Sequence, residues 1–66
     1  MPLSTRDTHK RTIQQAISNI ETAQVYLLNL SKVYEIHHPD IAKNFEKVCA
    51  ALQVTIPVLD KQRDAI

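Results

Sequence analysis

Apolar residues recur through this chain at intervals of three and four, the spacing that gathers side chains on one face of an α-helix. In the first half, Ile13, Ile20, Leu27 and Tyr34 fall every seven residues, and Ala16, Ala23 and Leu30 follow the first three by three positions. In the second half Ile41, Phe45, Val48, Leu52, Thr55, Leu59, Gln62 and Ile66 continue the same alternation, with only Thr55 and Gln62 polar. No stretch alternates apolar with polar in the manner of a strand, so the pattern predicts an all-α chain.

The two patterns are divided at His37-His38-Pro39-Asp40. Proline disfavours helical geometry in the residue before it and lacks an N–H, which suits the first position of a new helix. Asp40 then sits favourably near that helix's positive end. These signals predict helices over about 5–36 and 39–64, joined by a turn short enough to make them an antiparallel hairpin. Ser4 or Asp7 is the expected cap of the first helix. Pro57 either kinks the second helix or ends it near Val54, with a short third helix capped by Thr55. The apolar register crosses Pro57 without a phase change, which favours a kink.

Each helix carries more apolar surface than one hairpin seam needs. Ile17, Val25, Leu28 and Val33 lie beside the first stripe; Cys49, Ala51, Val54, Ile56 and Val58 lie beside the second. Between Thr12 and Ser31 the only formal charge is Glu21, and between Val48 and Leu59 there is none. Folding at His38 brings these charge-poor stretches to the same height as one belt. A short third helix could cover the belt; the preferred expectation is self-association into a homodimeric four-helix bundle, with a heterologous protein as the other candidate partner. The predicted core and interface residues are Ile13, Ile20, Leu27, Leu30, Phe45, Val48, Leu52 and Leu59. Arg6, Lys10 and Arg11 are expected to lie near Asp60 and Asp64 at the open end.

Composition narrows the reading. At 66 residues the chain makes one domain over 1–66, and a domain of that size buries too little surface to be stable with ease. It contains no glycine, so a glycine-rich phosphate loop is excluded, and the turn must form without one. Cys49 is the single cysteine, so no intramolecular disulfide can staple the fold. No signal region or membrane-length apolar run is present, and a cytoplasmic location is expected.

Candidate chemistry is sparse. His37, His38, Asp40 and Glu35 form the one cluster resembling a metal site, but neighbouring turn histidines point apart and no helical ligand spacing occurs, so no metal is expected. Cys49 is flanked in the heptad by Phe45, Val48 and Leu52 and has no base near it. Neither catalysis, nor a cofactor, nor a small-molecule substrate is expected. The formal charge of +1 gives no overall attraction to nucleic acid.

In length, hairpin form and layered small and large packing, the chain resembles the plasmid copy-number regulators that recognise paired RNA loops. That resemblance implies a dimeric RNA-binding regulator, which here would use basic residues at the helix ends: Arg6, Lys10, Arg11, Lys43 and Lys47. His38-Pro39-Asp40-Ile41 is similar to the start of the second helix in the small sporulation-type aspartyl-phosphate phosphatases, also helical hairpins. Their Ser-Gln-Glu-Leu-Asp signature is replaced by Phe45-Glu46-Lys47-Val48-Cys49, with Cys49 in place of the terminal aspartate, so that activity does not carry over. The sequence favours a small non-catalytic interaction or regulatory module acting through self-association and protein contacts.

Overall fold

A computed structural model describes residues 5–66. It is an antiparallel helical hairpin of α1, Thr5–Tyr34, and α2, Pro39–Ala65. The Ser4 cap lies outside the described residues. Asp7 stands within the first turn of α1 rather than before it, where its carboxylate complements the helix's positive end.

The reversal at Glu35–His37 needs no glycine because no described residue has positive φ. His38 N–H donates to the Tyr34 carbonyl at 2.8 Å, and Ala42 N–H donates to the His38 carbonyl at 3.1 Å. One bond closes the end of α1 and the next opens α2, so His38 serves both helices. Pro39 occupies the first position of α2, where its missing N–H costs nothing.

The helix α2 continues through Pro57 to Ala65, and no third helix forms among the described residues. Proline removes the N–H that would reach the Gln53 carbonyl, at a cost of about 3 kcal/mol in an ordinary helix interior. Thr55 Oγ donates to the Leu52 carbonyl at 2.6 Å one turn earlier. The apolar register on both sides of Pro57 offsets the lost bond by keeping Ile56 and Leu59 against α1.

The seam between the helices is rotated by one residue from the stripes that spacing alone suggests. Ile13, Ala16, Ile20, Ala23, Leu27 and Tyr34 are half-buried as expected, but Ile17, Gln24 and Ser31 join the seam and Leu30 turns out of it. On α2, Phe45, Leu52 and Leu59 are joined by Ala42, Cys49, Ile56 and Arg63 in place of Ile41, Val48, Thr55 and Gln62. Three of the four most deeply buried residues are small, Ser31 and Ala42 at 3% exposed and Cys49, and the fourth is Ile17.

Small side chains explain the rotation. Ser31 Oγ lies 3.2 Å from the Ala42 carbonyl and 3.4 Å from Glu46 Oε1, an approach that a larger residue would block. Ser31→Leu is accordingly expected to destabilise the hairpin although it adds apolar surface. Forcing a larger side chain into this approach should lower the thermal midpoint by roughly 5–15 °C, read by circular dichroism. An unchanged midpoint would show that the helices are not closely packed there.

Candidate interaction face

The rotation has a direct effect on the surface. Leu30 on α1 and Val48 on α2 both precede their seam neighbours, Ser31 and Cys49, by one residue. Each is thus turned about 100° from that neighbour in the same sense along its own helix. Because the helices run antiparallel, equal offsets lead to the same side of the hairpin. Ala16, Ala23, Leu27, Leu30 and Tyr34 meet Ile41, Phe45, Val48, Leu52 and Leu59 there as one apolar face.

That face holds the residues expected at an interface. Ile13, Ile20, Leu27, Phe45, Leu52 and Leu59 are half-buried, and Leu27, Phe45, Leu52 and Leu59 stand at the border between the seam and the open face. Leu30 and Val48 remain 40% and 46% exposed. From Thr12 to Gln62 the positions turned to this side are apolar, amide or hydroxyl: Thr12, Asn19, Tyr26, Asn44, Ala51, Thr55 and Gln62 complete it. None is Asp, Glu, Lys or Arg. The charged residues Glu21, Lys32, Lys43 and Glu46 occupy the opposite side, and Asp40 and Lys47 the outer edge of α2.

Polar groups fix the height at which the helices meet. Gln24 Nε2 donates to the Cys49 carbonyl at 3.2 Å and to Gln53 Oε1 at 3.0 Å, while Cys49 Sγ lies 3.6 Å from the Gln24 carbonyl. A register slip would strand these groups in a partly dry seam, so they specify one alignment. Toward the turn, Tyr34 packs at 6.1 Å between ring centroids from both Phe45 and His38.

The charges at the open end pair differently from expectation. Asp60 and Asp64 are held by Arg63 on their own helix, at 3.0 and 3.7 Å. Arg63 also donates across the hairpin to Gln14, so this one guanidinium links both helices where Arg6, Lys10 and Arg11 were expected to do so.

The candidate RNA-contact residues divide into two groups. Arg6, Lys10 and Arg11 lie in the first two turns of α1, while Lys43 and Lys47 lie in the first turns of α2 near the chain reversal. The groups are separated along the hairpin by about 30 Å, taking the rise of a helix per residue. They form no continuous basic stripe.

Among the described residues no three His, Cys, Asp or Glu side chains gather in a group able to hold a metal ion, and no pocket forms. No helix among them is long and apolar enough to cross a membrane. No protein-family model, curated protein or solved structure matches the chain.

The sequence pattern did not resolve which residues close the seam. Gln24 and Ser31 read as ordinary solvated positions, and Ala42 as a spacer. The signal available for them was positional: in an antiparallel hairpin, pairs at one height have numbers with a constant sum. Gln24 with Cys49, and Ser31 with Ala42, share the same sum.

Proposed function

We propose that this chain is a small non-catalytic helical module that works by protein–protein contact and self-associates through its charge-free face into a four-helix bundle. The observation that carries this reading is that Leu27 and Leu30 of α1 lie on the same side as Ile41, Phe45, Val48, Leu52 and Leu59 of α2 with no formal charge among them, while Val25, Leu28, Val33, Val54 and Val58 are exposed outside that set.

Shape supports it. The Cα envelope measures 56 × 19 × 9 Å, a single layer of two helices. Domains bury their apolar stripes between packed layers, and among the described residues no further element covers the open side of this pair. The hairpin exposes 5168 Å². A folded monomer of this mass is expected to expose about 4,200 Å². The excess of about 1,000 Å² is close to what one partner contributes to a standard interface. Covering four to six large aliphatic side chains would contribute on the order of 6–15 kcal/mol before entropy, against a lone hairpin close to zero.

Sedimentation equilibrium tests the reading. The expected mass is twice the 7.5 kDa of the chain, unchanged by added RNA. A monomeric mass with full helicity would overturn it. Retention on RNA at low salt that fades steeply as salt is added would instead favour contact through the basic helix ends.

A further inference from the structure

We infer that two copies stack with their turns at opposite ends, α1 of one lying antiparallel on α1 of the other and α2 on α2. This rests on the self-association proposed above and adds the partner's orientation.

The argument begins with the distribution of volume along the face. The half nearest the turn is bulky, with Leu27, Leu30, Tyr34, Phe45 and Val48. The half toward the open end is shallower where Thr12, Ala16 and Thr55 lie, although Leu59 also stands there. Stacking with both turns at one end sets α1 of each copy on α2 of the other. Leu27 and Leu30 then press on the partner's Phe45 and the partner's Val48, while Ala16 and Ala23 face the partner's Ala51 and the partner's Thr55 across a gap. Interiors pack at crystal-like density, and both crowding and voids are penalised.

Opposed turns match most of the large positions with small ones, Phe45 over the partner's Leu59 being the exception. With the two-fold axis at the height of Leu52, Leu30 sits over the partner's Thr12, Leu27 over the partner's Ala16, and Val48 over the partner's Thr55. A two-fold interface repeats each contact, so the complementarity is satisfied twice.

Charge selects the same arrangement. Among described residues at the open end, before Thr12 and after Leu59, there are five cations and three anions. Around the turn, from Lys32 to Lys47, three lysines balance Glu35, Asp40 and Glu46. Turns at one end would bring two net-positive open ends together. Turns at opposite ends place each beside a neutral turn.

A spin-label distance measurement decides between them. A nitroxide is attached through His37→Cys in a Cys49→Ala background, and separately through Glu35→Cys, with helicity first compared with the parent. Both sites are exposed in the turn. Opposed turns predict an intermolecular distance near ~50 Å, twice the roughly sixteen-residue rise from turn to mid-hairpin. A distance under ~25 Å, about the spacing of packed helices plus two label arms, would overturn the orientation while leaving self-association standing. A folded protein of monomer mass with no intermolecular coupling would overturn self-association and the orientation together.

Discussion

Leu52→Asp is expected to leave the chain largely unfolded and monomeric. Leu52 is half-buried, with one edge in the seam and the other on the open face. Truncating a buried leucine removes about 1.5–3 kcal/mol of burial. Placing an unpaired carboxylate in the same position adds several kcal/mol more. The sum exceeds the margin of a 66-residue chain without disulfide support. Leu27→Asp should do the same from α1. Loss of the helical circular dichroism signal and a monomeric sedimentation profile are the measurements. If either variant kept wild-type helicity and mass, Leu52 and Leu27 would not be core.

The second large effect separates association from folding. Leu30→Glu and Val48→Glu introduce charge at positions that are substantially exposed within one hairpin, at 40% and 46%. Their cost in an isolated chain is that of a surface change, generally within about 0.5 kcal/mol. In a two-fold complex each substitution occurs twice, so four aliphatic contacts are lost and four carboxylates enter an apolar layer. The dissociation constant should rise by at least ~1,000-fold, equivalent to about 4 kcal/mol. Acidification should partly restore association: burial favours the neutral carboxyl, so the complex takes up protons as pH falls. Lys43→Gln with Lys47→Gln, away from the face, serves as the control and should leave sedimentation unchanged. Equal losses in both pairs would show that the open face is not where copies meet.

The two helices and their break were legible because periodicity and Pro39 act locally. The helical continuity across Pro57 was legible for the same reason, through an apolar register with no phase change. The rotation of the seam was not, since a repeat of three and four fits two stripes one residue apart almost equally well. The choice between them was made by tertiary packing: Ser31 against Ala42 permits a close approach that Leu30 against Ile41 would not. Burial of Gln24 was hidden because a glutamine reads as solvated until a second helix offers it both a carbonyl and another amide. The surplus read from the sequence divided instead: Ile17, Cys49 and Ile56 entered the seam, Val25, Leu28, Val33, Ala51, Val54 and Val58 stayed exposed, and stripe residues such as Leu30 and Val48 made the open face. Its collection on one side depends on the antiparallel sense and on the rotation together.

The single-layer thickness of the hairpin has a consequence for dosage. When a second copy supplies the missing layer, the fold is completed by encounter, and stability becomes a property of how much protein is present. Each tenfold fall in abundance would remove about 1.4 kcal/mol from the pair. Below a threshold level the chain would be an unfolded substrate for proteolysis, and above it a durable bundle. Such a protein reads its own expression level, converting a graded supply of chains into a steeper supply of assembled modules.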